Sequence, residues 1–147
     1  MSGANGSNLL SGPFSIEGPF WDALGRAELR FPQCEGCGRW NWPPVPRCPA
    51  CGSFDHAWQQ VGATGTLYSW TTIHRASTSE LAGDVPFVVV LVEVPQAGNA
   101  RIMGRFEGNP DRLSLGVALV GSFRPATART KNMPTLVWSV ATAGASS

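Results

Sequence analysis

Short apolar stretches alternate with turn residues from residue 65 onward, and this pattern predicts a β-domain. Five stretches rich in β-branched, leucine and aromatic residues occupy residues 65–75, 86–94, 100–106, 117–123 and 135–140. Stretches of this length, bounded by Gly, Pro and Asn, are typical of strands. Five of them in succession predict a small Greek-key barrel such as the OB-fold. Residues 88–92 are apolar at every position, so we expect both faces of that strand to be covered.

The N-terminal part of the chain contains one candidate helix, at residues 18–27. Pro19 suits the first helical turn, and Phe20, Trp21 and Leu24 fall on one side of the helix. Gly25 indicates that the helix ends early. Such a short helix is not stable by itself, so we expect Phe20 and Trp21 to pack against this domain or another chain. We favour packing against another chain.

All four cysteines lie between this helix and the strands, in two Cys-x-x-Cys pairs separated by ten residues. Four thiolates in a tetrahedral array are the ligand set of a structural zinc ion. We therefore predict one zinc ion bound by four residues: Cys34, Cys37, Cys48 and Cys51. Because the protein fills every coordination position, no position is open for a catalytic water.

Three other uses of the four cysteines are compatible with their number. Two disulfides are compatible with the count, but the spacing suits a metal better. A thioredoxin-like redox pair needs a helix, which Pro43, Pro44 and Pro46 prevent. Iron takes the same four ligands in rubredoxin-like sites, so it stays an alternative to zinc.

Charge and composition bear mainly on nucleic-acid binding. The net charge is +1, and residues 60–140 hold seven basic and five acidic residues with no run of like charge. Proteins that bind phosphate backbones usually show a basic stripe. Zinc ribbons and OB barrels both bind nucleic acids in some proteins, so a nucleic-acid-binding module is the alternative function, which the charge count disfavours.

Composition also divides the chain. We expect a disordered leader at residues 1–18, the helix and zinc ribbon at 19–57, the barrel at 58–140 and a disordered tail at 141–147. The first residues lack the basic and apolar regions of a signal peptide, and no apolar run is long enough to cross a bilayer. We therefore expect a cytoplasmic protein.

The sequence shows none of the usual catalytic motifs: no nucleophile elbow, no phosphate-binding glycine loop and no pair of carboxylates at a readable spacing. It contains two histidines. His56 is predicted on a surface turn. His74 ends the first barrel strand beside Arg75, where it could face a groove, although a structural role is commoner for a single histidine. Core packing is the commoner role for Trp70 and Trp138.

Several motifs in one order resemble a known family. They are Phe20-Trp21, two Cys-x-x-Cys-Gly turns, Trp42-Pro43-Pro44, Gly65-Thr66-Leu67-Tyr68-Ser69, Thr72-x-His74-Arg75 and the stretch 86–93. Over residues 20–140 the chain resembles the acyl-CoA-associated zinc-ribbon plus OB-fold family. The resemblance implies a mainly β protein with a short N-terminal helix, a rubredoxin-like zinc ribbon and a C-terminal five-stranded OB-fold barrel.

The resemblance also implies a function. Members are accessory subunits that partner thiolase-superfamily enzymes of the lipid-transfer-protein type, or in some cases MaoC-like hydratases. In the steroid side-chain branch the partner is a retro-aldolase that acts on a β-hydroxyacyl-CoA. We therefore expect a subunit without turnover of its own, which stabilises the complex and shapes the acyl-CoA channel. The candidate residues for that interface or channel are Phe20, Trp21, Trp70, His74 and Arg75.

Overall fold

The computed structural model describes residues 16–75, 83–127 and 134–141. Most of the predicted leader and tail lies outside these residues. One helix, α1 (Gly18–Gly25), comes first, near its predicted position. The strands that follow in the described residues are β1 (Leu29–Cys34), β2 (His56–Val61), β3 (Thr64–Ile73), β4 (Phe87–Val94), β5 (Ala100–Phe106), β6 (Ala118–Arg124) and β7 (Thr135–Val140).

Strands β3 to β7 form a closed barrel in the order β3-β4-β5-β7-β6, with β6 returning to β3. Most neighbours are antiparallel, but β7 runs parallel to β5, where Phe106 pairs with Trp138. This strand order is that of the OB-fold. The mainly β fold class is confirmed, and each barrel strand lies within two residues of its predicted position.

The barrel interior is filled from every second position of β4. Its inward side chains at 88, 90, 92 and 94 are all buried valines, and they belong to the same core cluster as Trp138, whose exposed fraction is 0%. The side chains between them are only half-buried. The prediction that both faces of β4 are covered is therefore wrong for this chain: the strand is fully covered on its inner face alone.

The zinc-ribbon region forms a separate two-stranded sheet, in which β1 pairs antiparallel with β2. Residues 40–42 make one isolated bridge to β1, between Trp40 and Gln33. The prolines at 43, 44 and 46 lack the N–H that a longer ladder needs. Strand β2 also spans the predicted boundary between residues 57 and 58.

Helix α1, the ribbon and the barrel share one hydrophobic core. The ring centroid of Trp42 lies 4.8 Å from that of Phe20. Trp40 packs on the β4–β5 turn, where a Cβ atom added to Gly98 would lie 2.8 Å from Cδ1 of Trp40. Gln96 in the same turn donates from Nε2 to the Gly62 carbonyl at 2.8 Å. The ribbon is therefore held against the barrel. None of the described helices is long and apolar enough to span a membrane.

Gly65 in β3 lies where a neighbouring strand approaches closely. A Cβ atom added there would lie 2.5 Å from the Glu93 carbonyl oxygen. We expect Gly65→Ala to cost about 1–3 kcal/mol of unfolding free energy, because the strands must separate to admit the methyl group. The control is Gly62→Ala, whose added Cβ would meet its nearest atom at 3.9 Å. Urea denaturation of the zinc-loaded protein measures both; equal stability of the two variants would contradict the prediction.

Candidate metal centre

The two Cys-x-x-Cys turns have the same backbone geometry. In the first, the Gly38 N–H donates to the Cys34 carbonyl, and in the second the Gly52 N–H donates to the Cys48 carbonyl, both at 2.9 Å. Gly38 and Gly52 have φ of 82° and 83°, the left-handed region that glycine adopts without strain. Each turn therefore brings its two sulfurs to one side.

The four sulfur atoms converge as a tetrahedral metal site requires. All four Sγ atoms lie within 4.8 Å of one another. The Sγ atoms of Cys34 and Cys51 are 3.5 Å apart, and those of Cys37 and Cys48 are 3.7 Å apart. Tetrahedral zinc with bonds of about 2.3 Å would separate its sulfurs by about 3.8 Å. The thiol groups therefore fit a zinc ion, as predicted from their spacing.

Backbone N–H groups and neighbouring thiols set the charge of the cysteines. The Cys37 N–H lowers the pKa of Cys34, and the Cys51 N–H lowers that of Cys48 to about 6. The Ser53 N–H also acts to lower the pKa of Cys51, but the Cys34 side chain and desolvation oppose it, and the net effect raises that pKa to about 11. Several thiolates this close repel one another, and a divalent cation removes the repulsion.

Asn41 and His56 form a polar pair behind the cysteines. Among the described residues, Asn41 is the one buried polar side chain, with 5% of its surface exposed. Its Nδ2 lies 2.8 Å from Nε2 of His56. His56 had been predicted on a surface turn, but it is half-buried on β2 and pairs in register with Cys34. Sequence reasoning missed Asn41, since one asparagine between two tryptophans forms no recognisable motif.

The candidate interface residues lie in two places. Phe20 is 7% exposed and packs in the core, with half-buried Trp21 at a centroid distance of 5.2 Å. Trp70, His74 and Arg75 are exposed, on β3 or directly after it. A groove of about 950 Å³ between α1 and the barrel is lined by Phe20 and Trp21 but not by the other three. The structure therefore does not bring the five residues together in this groove.

The outward side of two neighbouring strands carries an apolar surface, which we call the β4–β5 face: Val89, Leu91 and Met103. Leu91 pairs in register with Met103. Met103 is 71% exposed, and the other two are half-buried. On the neighbouring strand β3, most positions that pair with residues 88–91 are exposed Ser or Thr. The apolar surface therefore belongs to β4 and β5. This face was not predicted, because the sequence suggested that β4 is covered on both sides.

Two arginines bound the β4–β5 face. The Arg105 guanidinium lies 4.1 Å from the centroid of the Phe87 ring and bonds Asp84 at 3.3 Å. At the other end, Arg101 lies 3.8 Å from the centroid of the Tyr68 ring. Its Nε also bonds Glu93 at 3.3 Å. Both guanidinium groups are thus held between an aromatic ring and a carboxylate.

Family models and solved structures of other proteins match this architecture. Residues 21–57 match the ChsH2 rubredoxin-like zinc ribbon domain, and residues 58–124 match the ChsH2 C-terminal OB-fold domain. A chain of the Ltp2-ChsH2(DUF35) aldolase is similar with a TM-score of 0.75 and 27% identity, over 86% of this chain and 94% of that one. A DUF35-family protein of unknown function from Sulfolobus solfataricus shares the fold, with a TM-score of 0.54 and 16% identity over 85% and 84% of the two chains.

A curated relative is named as a probable enoyl-CoA hydratase alpha subunit from Thermomonospora curvata. It is 33% identical over 103 residues, which are 69% of this chain but 31% of that protein. This chain therefore aligns with about a third of that relative's length. The two family models are adjacent and together extend over residues 21–124. The expected family is confirmed: the chain belongs to the ChsH2 family of proteins that join a rubredoxin-like zinc ribbon to an OB-fold domain.

Proposed function

We propose that this chain is a non-catalytic accessory subunit of an acyl-CoA-processing complex, whose partner is a thiolase-superfamily enzyme of the lipid-transfer-protein type. The observation that carries the proposal is the similarity to a chain of the Ltp2-ChsH2(DUF35) aldolase, with a TM-score of 0.75 over 86% of this chain and 94% of that one. The similarity extends over nearly the whole of both chains. It supports a comparable role as a subunit.

The chemistry of the chain supports a non-catalytic role. Among the described residues, the four cysteines are the one group of three or more Cys, His, Asp or Glu side chains whose ligand atoms converge on a metal-sized site. A zinc ion bound by four cysteines has no open position for a substrate or a water molecule. We therefore assign the nucleophile and the acid–base groups of the complex to the partner.

The β4–β5 face is the surface we assign to this partner. Exposed apolar side chains with a polar rim are typical of protein interfaces, and methionine, arginine and aromatic residues are enriched there. Arg101 and Arg105 are already held by ring and carboxylate contacts. Docking therefore costs less side-chain entropy than it would for mobile arginines.

The acyl-CoA channel of the complex would then be bounded by the candidate residues, which lie in two places on this chain. Phe20 and Trp21 contribute to the groove between α1 and the barrel. Trp70, His74 and Arg75 offer exposed aromatic and basic groups at the end of β3. In this proposal the subunit stabilises the complex and shapes the channel. For a partner of the steroid side-chain branch, the reaction is retro-aldol cleavage of a β-hydroxyacyl-CoA.

A second candidate partner is a MaoC-like hydratase, favoured by the name of the Thermomonospora curvata relative. Separate co-expression with a thiolase-like enzyme and with a MaoC-like hydratase, followed by size-exclusion chromatography with light scattering, distinguishes the two. We expect a stable complex with the thiolase-like enzyme and no turnover by the chain alone. Complex formation with the hydratase alone would favour the second candidate. Turnover of acyl-CoA by the isolated chain would contradict the accessory role.

The double variant Leu91→Asp with Met103→Glu tests the assigned face. We expect its Kd for the partner to rise at least about 100-fold, because two carboxylates would be buried in an apolar contact, at a cost of at least about 2.8 kcal/mol. Isothermal titration calorimetry measures the affinity. The control, Gln59→Asp with Gln60→Glu, adds the same charge at exposed positions of β2. Wild-type affinity in the first variant, with normal zinc content, would exclude this face as the docking surface.

A further inference from the structure

The second half of strand β3 has a free edge. The first half pairs with β6, at residues 64–66. Leu67 still bonds to the segment before β6, since its N–H donates to the Val117 carbonyl at 2.9 Å. Residues 69–73 pair with β4 on one side. On their other side no strand of the described chain pairs with them. We call this side of residues 69–73 the β3 edge.

The ladder determines which backbone groups face the β3 edge. Successive residues of an antiparallel strand direct their N–H and C=O groups to opposite sides. Leu67 directs both groups toward β6, because its carbonyl also accepts the Gly116 N–H at 2.8 Å. The register shift between Leu67 and Ser69 inserts one extra residue. The N–H and C=O groups of Trp70 and Thr72 therefore point away from β4, toward the β3 edge.

The side chains along the β3 edge are uncharged and mostly exposed. Trp70 pairs with Val90 and Thr72 pairs with Val88, so both lie on the inner side of the sheet. Both are exposed there, Trp70 at 39%. Residues 69–73 contain no proline and no charged residue. Natural edge strands use such residues to prevent pairing with another strand. The β3 edge is therefore open to an added strand.

Two copies of the β3 edge complement each other. In an antiparallel ladder, the edge-directed residues of one strand must lie opposite those of the other. A two-fold axis at Thr71 achieves this within the strand, because Trp70 of each copy then lies opposite Thr72 of the other. Each such pair exchanges two hydrogen bonds and packs an aromatic ring beside a β-branched side chain. No like charges meet, since residues 69–73 are uncharged.

We propose that the β3 edge joins two copies of this chain into a homodimer, by antiparallel pairing centred on Thr71. Two-fold dimers are the commonest symmetric assemblies of soluble proteins. The two β3 strands would form one continuous sheet across the axis. The pairing uses main-chain groups at the edge of the sheet, so the β4–β5 face stays open. The inference therefore does not rest on the proposed function.

Charged substitutions at the two-fold axis test both the pairing and its register. Sedimentation velocity of the zinc-loaded full chain, over a concentration series up to about 100 µM, measures the dimer Kd. Thr71→Lys and Thr71→Glu each place two like charges opposite each other. We expect each variant alone to raise the dimer Kd by about 5–10-fold. An equimolar mixture of the two should recover the wild-type Kd or a lower one, because a lysine then faces a glutamate.

A second variant, Thr72→Pro, removes a main-chain donor from the β3 edge. The Thr72 N–H points away from β4, so proline leaves the β3–β4 ladder intact. We expect the dimer Kd to rise at least about tenfold, because the pairing loses the same donor from both copies. The matched control is Thr72→Val, which keeps the N–H and the branched shape. A second control, Gln59→Lys, adds a charge at an exposed position of β2. Both controls should stay within about twofold of the wild-type Kd.

Zinc content and urea denaturation establish that each variant is folded. Should Thr72→Pro fail to fold, the two variants at Thr71 carry the test alone. A wild-type chain that stays monomeric at about 100 µM would overturn the inference. So would a dimer whose Kd is unchanged in the edge variants, or charged variants that do not recover on mixing. A monomeric chain whose Thr72→Pro variant binds the thiolase-like enzyme more weakly would assign the edge to a strand of that enzyme instead. The dimer measurements use this chain alone, so failure of the proposed function would leave them unaffected.

Discussion

Replacing Cys48 by serine is expected to remove the metal and to unfold the ribbon. Cys48 is buried, and its Sγ lies 3.7 Å from that of Cys37 in the tetrahedral cluster. Apparent zinc-binding free energies of structural sites are on the order of 10 kcal/mol, comparable to the whole stability of a typical domain of about 5–15 kcal/mol. The sheet of the ribbon has two strands, β1 and β2, so its backbone pairing is too limited to replace that contribution.

Metal analysis and circular dichroism measure this effect. We expect about one zinc ion per wild-type chain and none at stoichiometric level in Cys48→Ser. Ser53→Ala is the control, because it changes a side chain beside the second turn without removing a thiolate. A Cys48→Ser variant with wild-type stability, or purified protein that holds stoichiometric iron, would contradict the prediction of structural zinc.

Replacing Trp138 by alanine is expected to cost about 3–5 kcal/mol of unfolding free energy. This side chain is 0% exposed and lies on β7, the strand that joins β5 to β6 and closes the barrel. Its removal leaves a large cavity at the place where the sheet meets itself. Gly104 on β5 has no side chain to fill that cavity, since a Cβ there would now lie 2.6 Å from the Trp138 ring.

The exposed tryptophan at position 70 offers a matched comparison. Trp70→Ala removes the same atoms from a side chain that is 39% exposed, and we expect a much smaller loss of unfolding free energy, close to the roughly 0.5 kcal/mol of surface changes. Urea denaturation of both zinc-loaded variants provides the measurement. If Trp138→Ala does not fold, Trp138→Phe keeps part of the ring and should fold with an intermediate loss. Equal losses at positions 70 and 138 would contradict the assignment of Trp138 to the core.

The parts of the fold that were predictable from sequence depend on local patterns. Each barrel strand is bounded by turn residues, such as Pro95 and Gly98 between β4 and β5, so its limits can be read from nearby residues. The cysteine cluster was predictable because metal-ligand turns have a characteristic spacing. Helix α1 was predictable from Pro19 and its apolar side.

The parts that were not predictable depend on contacts between distant residues. The choice of β2 as the partner of β1 joins residues such as Leu29 and Val61 across a 32-residue separation, and no local pattern encodes it. The same holds for Asn41 with His56, and for the stacking of Arg105 on Phe87. Phe20 packs in the core of this chain, whereas the sequence analysis favoured contact with another chain. A short aromatic helix has the same pattern in both cases.

The order of the strands along the chain has a consequence for synthesis on the ribosome. The cysteine cluster is complete once Cys51 has been made, whereas the barrel cannot close before β7 supplies Trp138. A growing chain can therefore acquire zinc many residues before its barrel core exists. Until residues 95–98 emerge, Trp40 has no barrel turn to pack on. A metal-loaded ribbon with exposed tryptophans is thus the expected nascent intermediate, and it would be a natural substrate for chaperones that bind aromatic segments.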